Sequence, residues 1–178
     1  AALVGSSNKA IKSLANALGW PEEAFIERMN QKAVELGMMQ TRFTDTTGLD
    51  ATDISTASDV AILLEEALRH PKIVEALNMS QLSLYSAERL RSHKMHNTNW
   101  LMLGWIPHRF ERLVGGKTGY TPAAGYSFAV QVADERNHPI TVVVLGTESN
   151  EARFTVARDV AEWVFGNYRW PGEQIIIA

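Results

Sequence analysis

Ser6-Ser7-Asn8, Lys117-Thr118-Gly119 and Arg153 are the polar clusters whose residue types could do chemistry together. A serine hydroxyl becomes a nucleophile only when a base takes its proton and donors hold the charge that develops on the attacked carbonyl. Lysine, asparagine and arginine are the kinds of side chain that hold or move a proton, bond an amide and bind a carboxylate. Taken singly, each cluster also has a plain structural reading. Ser-Ser-Asn before an apolar run is a helix N-cap, Lys-Thr-Gly at a strand start is an edge lysine with turn residues, and an arginine in a first helical turn is a solvated charge. The glycines are harder to place that way. In "GGKTGYTPAAGYSFAVQVA", Gly115, Gly116 and Gly119 crowd the start of what reads as a strand, although glycine packs nothing and loses backbone entropy on folding. Such a strand suits close approach by another backbone.

The elements that must position these clusters follow from periodicity. Ala10, Ile11, Leu14, Ala15 and Leu18 predict a helix stopped at Gly19, directly after Ser-Ser-Asn. Pro21 in a first turn, Glu22 and Glu23, and the stripe Phe25, Met29, Ala33 and Leu36 predict a second helix closed by Gly37. "MMQTRFTDTTGLDATDIST" keeps no period and reads as a long ordered loop of the sort that frames a site. Thr56 is expected to cap a third helix with Asp59 reaching back to it; its stripe is Val60, Ala61, Leu63, Leu64 and Leu68, and His70-Pro71 ends it. A helical turn is expected from Ile73 to Leu77. "QLSLYS" reads as an exposed edge strand, and "ERLRSHKMHNTNWLM" as mostly loop with a short helix near Trp100. A strand at 116–122 and a hairpin over 125–146 follow, then a helix in "NEARFTVARDVAEWVF" with Phe154, Ala157, Val160, Ala161 and Val164 on one face. Helices first, an antiparallel hairpin and a closing helix make an α+β layered domain.

Composition narrows the function classes. At 178 residues, 46% hydrophobic and 21% charged, the chain can bury a sizeable core. A net charge of −3 without any Lys/Arg block lacks the electrostatic footprint for nucleic acid. Cysteine is absent, which removes disulfides and thiolate metal sites. His93 and His96 have no carboxylate or third ligand at suitable spacing, and no phosphate loop occurs, so neither metal nor cofactor is expected. No apolar run has the length of a bilayer span. The opening "AALVG" reads like the end of a buried element, which leads to the expectation of a segment upstream.

Together the clusters resemble those of a D-alanyl-D-alanine carboxypeptidase, a low-molecular-mass penicillin-binding protein of the serine DD-peptidase group. "GSSNKAIKSLANALG", "FIERMNQKAVELGM", "FTDTTGLD", "ISTASDVAILLEEAL", "NTNWLM" and "GGKTGYTPAAGYSFAVQV" occur in that family's order, from Leu3 to about Trp170. Such enzymes use Ser-x-x-Lys, Ser-x-Asn and Lys-Thr-Gly in sequence order. Ser6-Ser7-Asn8 matches the second motif and Lys117-Thr118-Gly119 the third. Ser6 to Lys9 satisfies Ser-x-x-Lys as letters, yet its interval to Lys117 resembles the second-to-third distance. The resemblance therefore implies that Lys9 is a solvated helix residue and that the nucleophile lies in a missing upstream segment. It further implies that Ser6 and Lys117 complete a proton and charge network, and that Asn8 bonds the substrate amide. Thr118, Gly119, Thr121 and Arg153 bind substrate, the threonines and the arginine facing the departing D-alanine carboxylate, with the peptide antiparallel along the Lys-Thr-Gly edge.

The implied fold is β-lactamase/transpeptidase-like: an antiparallel sheet flanked by helices, with an all-helical lobe, incomplete at its N-terminal side. Residues 1–170 would be a partial catalytic domain and 171–178 a tail or linker. The implied function is removal of the terminal D-alanine from peptidoglycan stem peptides through an acyl-enzyme, without a cofactor. Implied partners are the stem peptide, β-lactam antibiotics as inhibitors and the missing N-terminal segment. The implied location is the bacterial cell envelope, periplasmic or extracytoplasmic, with membrane association of the full-length protein as an option. Two other readings stand beside this one. A class A β-lactamase shares the motifs, but its loop is expected to carry a glutamate that "FTDTTGLDATDIST" lacks. A non-catalytic binder of peptidoglycan stems would keep the pocket and lack the nucleophile.

Overall fold

Among the described residues, five helices and five strands run in the order α1 (Asn8–Ala17), α2 (Glu22–Glu35), α3 (Ala57–Ala67), α4 (Pro71–Leu77), β1 (Gln81–Ser86), β2 (Arg91–His96), β3 (Arg112–Thr121), β4 (Gly125–Ala133), β5 (Pro139–Thr147) and α5 (Ala152–Asn167). This is a computed structural model, and it describes residues 1–87 and 90–171. The expected tail falls almost wholly at 172–178, outside the described residues.

The core forms where alternation meets helical period. β3, β4 and β5 make a three-stranded antiparallel sheet with β4 at its centre. Phe128, Val130 and Val132 alternate onto one face of β4 and meet Phe154, Ala157 and Ala161 of α5. Phe154 lies edge-on to Phe128 at 4.8 Å and stacks on Trp100 at 5.4 Å. The two alanines let the helix axis approach the sheet. Val160, expected on this face, is 43% exposed, whereas Arg153, earlier in the helix, is buried. α3 packs on β4 and β5, and α4 on β3.

Three local expectations need correction. Thr56 does cap α3, its hydroxyl accepting from the Asp59 backbone N–H at 3.2 Å, but the Asp59 carboxylate turns elsewhere. It accepts from Gln40 N–H at 2.9 Å and from the Thr41 hydroxyl at 2.7 Å, tying the long loop to the helix. Residues 91–96 are a strand, paired antiparallel with β1 from Gln81 opposite His96 to Ser86 opposite Arg91. The hairpin is held by backbone bonds and exposes most of both faces, so it carries no apolar alternation to read. Near Trp100 the chain makes turns instead of a helix. The Asn99 carboxamide oxygen accepts from Leu101 and Met102 N–H at 3.1 and 3.3 Å as an N-cap does, but after the bond from Leu103 N–H to Asn99 O the backbone shifts to Gly104 N–H with Leu101 O and Trp105 N–H with Trp100 O, so the helical series stops after one turn.

The loop after α2 is ordered, as expected, by its own carboxylates. Asp45 accepts from Gly48, Leu49 and Asp50 N–H at 2.7, 2.8 and 2.5 Å, and Asp53 accepts from Thr44 N–H at 2.5 Å. Donors converging from Thr47, Asp50 and Gly48 overcome the effect of burial and hold the Asp45 carboxyl down at about 2. Among the described residues no helix is long and apolar enough to cross a membrane.

Phe154 is fully buried at the meeting point of helix, sheet and turn. Phe154→Ala is expected to lower the free energy of unfolding by about 3–5 kcal/mol in a urea titration; a loss under about 1 kcal/mol would mean that the site collapses around the cavity.

Candidate active site

Ser6 has a backbone φ of 51°, in the left-handed region that a non-glycine residue rarely occupies. Its neighbours hold it there. On one side Val4 is buried and Gly5 N–H bonds Ala1 O at 3.0 Å. Met95 of β2 lies so close to Gly5 that a Cβ there would come within 2.7 Å of its sulfur. On the other side Ser7 is the N-cap of α1, its hydroxyl accepting from Ala10 N–H at 3.3 Å. The plain capping reading of Ser-Ser-Asn thus accounts for Ser7 alone. Ser6 and Asn8 flank the cap with exposed side chains.

The Ser6 hydroxyl accepts from Lys117 Nζ at 2.8 Å, a contact between residues 111 positions apart. Lys117 also donates to its neighbour's carbonyl, Thr118 O, at 2.7 Å. Burial first, and then the positive charge of Arg153, push its pKa down from 10.5 to about 8. Lys9, the other lysine near Ser6, is exposed, and among the described residues its ammonium makes no hydrogen bond to the serine.

Among the described residues β3 pairs only with β4, and its other edge has no strand partner. Alternation sends Lys117 to one face and Thr118 to the other. Thr118 is buried opposite Phe128, and its hydroxyl meets the Thr98 hydroxyl at 2.6 Å. The three glycines divide. A Cβ at Gly115 would come within 2.8 Å of Leu68, and one at Gly116 within 3.0 Å of Ala129 O, so this chain's own packing requires both. Gly119 has nothing within 4 Å of that position, and only there does the strand leave room for an incoming backbone.

Thr121 and Arg153 are both engaged by other groups of the chain. The Thr121 hydroxyl accepts from Ala124 N–H at 3.0 Å and closes the β3–β4 turn. Arg153, read singly as a solvated charge, is only 6% exposed. Its Nη1 donates to Gly119 O at 2.9 Å and to Ser127 O at 3.3 Å, Nη2 bonds Asn150 Oδ1, and the guanidinium lies over the Tyr126 ring. It therefore ties β3, β4 and the turn before α5 together from behind the open strand. The ordered loop lies against the far end of β3: Gly48, Asp50, Ala51 and Asp53 face Gly119, Tyr120 and Thr121 across a groove of about 360 Å³ whose lining does not extend to Lys117. Thr98 was missed from sequence, its only signal being the Asn-x-Asn frame around it.

Comparison with known proteins follows this geometry. Residues 1–149 match the family model described as D-alanyl-D-alanine carboxypeptidase. The D-alanyl-D-alanine endopeptidase of Escherichia coli strain K12 is 30% identical over 170 residues, covering 92% of this chain and 51% of that protein. The D-alanyl-D-alanine carboxypeptidase DacC of the same organism is 32% identical over 164 residues, covering 92% of this chain and 38% of that protein. The chain spans about half the length, or less, of these curated relatives. The crystal structure of the D-alanyl-D-alanine carboxypeptidase from Mycobacterium tuberculosis H37Rv is similar with a TM-score of 0.79 and 25% identity, over 96% of this chain and 63% of that one. The Streptomyces K15 DD-transpeptidase gives a TM-score of 0.72 at 21% identity, over 81% of this chain and 55% of that one, a likeness of fold. The α+β, transpeptidase-like fold expected from the motif order is the fold found.

The depressed Lys117 pKa of about 8 has a signed consequence. Below about 8 the lysine is protonated in both states and the folded chain bears the full cost of holding the charge. Between about 8 and 10.5 the unfolded chain binds the proton and the folded chain does not, so this group's contribution to stability improves as pH rises. An NMR titration of the Lys117 ε-methylene should show a midpoint near 8; a midpoint near the ordinary 10.5 would show a fully hydrated ammonium.

Proposed function

Because the chain belongs to the D-alanyl-D-alanine carboxypeptidase family, we propose that it supplies half of the active site of a serine-type enzyme that removes the terminal D-alanine from peptidoglycan stem peptides. The observation that carries this reading is the 2.8 Å bond from Lys117 Nζ to the Ser6 hydroxyl, which joins the second and third motifs in one proton-transfer network. The nucleophilic serine and its lysine belong to a Ser-x-x-Lys segment outside residues 1–178. Its oxygen attacks the carbonyl of the penultimate D-alanine, the peptide C–N bond breaks, and D-alanine leaves as the amine. Water then hydrolyses the ester. The lysine of that segment takes the proton that the nucleophile loses, and Ser6, held by the Lys117 cation, relays it to the leaving amine.

The remaining residues position the substrate. The peptide lies antiparallel against the open edge of β3, where Gly119 leaves space, and Asn8 bonds its amide. Thr118, with Thr121 at the end of the groove, faces the departing carboxylate. Arg153 is engaged by Gly119 O, Ser127 O and Asn150, so it acts as a fixed positive charge behind the strand. We place the protein in the bacterial cell envelope, where its substrate and β-lactam inhibitors meet it.

The full-length protein is expected to release D-alanine from a peptide ending in D-Ala-D-Ala and to retain labelled penicillin. A preparation that retains penicillin but cleaves only internal bonds of cross-linked stems is an endopeptidase, and one that does neither is a binding module. Lys117→Ala should slow penicillin acylation by about two to three orders of magnitude with the fold retained. With the cation as the working form, wild-type acylation should fall as pH rises through about 8. Acylation that instead increases through that pH would make the neutral amine the working form.

A further inference from the structure

The Asn97-Thr98-Asn99 tripeptide is clamped at both ends. Asn97 is buried, with Nδ2 donating to Leu77 O at 3.0 Å and Met79 O at 2.8 Å, and its Oδ1 accepts from Asn99 N–H at 2.9 Å. Asn99 is 1% exposed, with its oxygen occupied by the turn that follows. The platform beneath is itself fastened to β3, since Asn78 Nδ2 donates to Val114 O at 2.8 Å. Between two immobilised neighbours, Thr98 is left half-buried with its hydroxyl 2.6 Å from that of Thr118.

Two hydroxyls at that distance share one proton and leave one free. If Thr98 donates to Thr118, the Thr118 hydrogen points away from the pair and its O–H is polarised as a stronger donor. In the reverse direction Thr118 presents only lone pairs. A bound carboxylate accepts hydrogen bonds and cannot donate them, so it selects the first direction. A carboxamide both donates and accepts, and fits either. The terminal nitrogens of Arg153 are held by backbone and Asn150, and its Nε, though without a hydrogen-bond partner among the described residues, is buried.

We propose that Thr98 is a positioning residue that orients the Thr118 hydroxyl toward the carboxylate of the leaving residue, making the hydroxyl pair the element that distinguishes a free acid from a capped terminus. This rests on the function proposed above and assigns part of its specificity.

The test compares two substrates of the full-length protein, a peptide ending in D-Ala-D-Ala and its C-terminal amide. Thr98→Val keeps the shape and removes the donor. It should lower kcat/KM for the acid about tenfold, mainly through KM, and leave the amide within about threefold, an orienting bond being comparable to one ordinary hydrogen bond. Thr98→Ser should restore discrimination. Equal losses on the two substrates, no loss on the acid, or failure of serine to restore it would each overturn the proposal. Penicillin-labelling stoichiometry reports the folded fraction, and if the valine variant does not fold, Thr98→Ala against Thr98→Ser provides the same readout. A wild-type protein that neither cleaves nor is labelled would instead overturn the functional reading, and this assignment with it.

Discussion

A lysine ammonium drawn away from water must find oxygen partners or lose its proton, and Lys117 does part of each. Its two partners are the Ser6 hydroxyl and Thr118 O, at 2.8 and 2.7 Å, and its pKa is pushed down to about 8. Satisfying that one cation fixes much else. The start of α1 must reach β3 from the other end of the chain, and Ser6 must bring its hydroxyl to the ammonium while its backbone holds an unusual angle. Arg153 shares the constraint: a second buried cation, it is held by backbone carbonyls, and its charge helps to lower the lysine's affinity for its proton.

The strand between these cations is built from what it lacks. Gly115 gives way to Leu68 and Leu77, and Gly116 to Phe128 and Ala129, so helix and sheet close on β3 from both faces. Only Gly119 faces open space. An exposed edge is ordinarily a hazard for a soluble chain. Here its length is cut by the Thr121 turn, and the Asp45-Asp53 loop walls the groove beside it.

Elements with an apolar stripe were legible from the sequence. α2, α3 and the β4–β5 hairpin each turn one face toward the core, and burial writes a period into the residue order; α1 kept the period although Leu14 and Leu18 of its stripe are 62% and 56% exposed and only Ala15 is buried. β2 buries almost nothing, so Arg91–His96 carried no signal, although its backbone pairs along its whole length. At Trp100 the backbone makes one capped turn and then leaves the helical bonding series at Gly104 and Trp105, a stop that periodicity does not register. Asp59 looked like half of a capping box, and its true partners, Gln40 and Thr41, become neighbours only after the loop folds back. The candidate site divides in the same way. Ser6, Asn8, Lys117 and Thr118 were named through resemblance to a family, whereas the burial of Arg153 and the Thr98 contact depend on tertiary placement that no local pattern encodes.

The contact of Met95 with Gly5 binds two distant positions into one heritable unit. Position 5 has no space for a side chain while a thioether lies 2.7 Å from where its Cβ would be, and shortening residue 95 would release the peptide that sets the angle of the next serine. Substitutions at the two places are therefore not independent: a side chain at 5 requires the Met95 side chain to shift or to be replaced by a smaller one, so the effect of a change at either position depends on what the other holds. A hairpin otherwise free to vary on its exposed faces thus contains one residue whose history is tied to the start of α1.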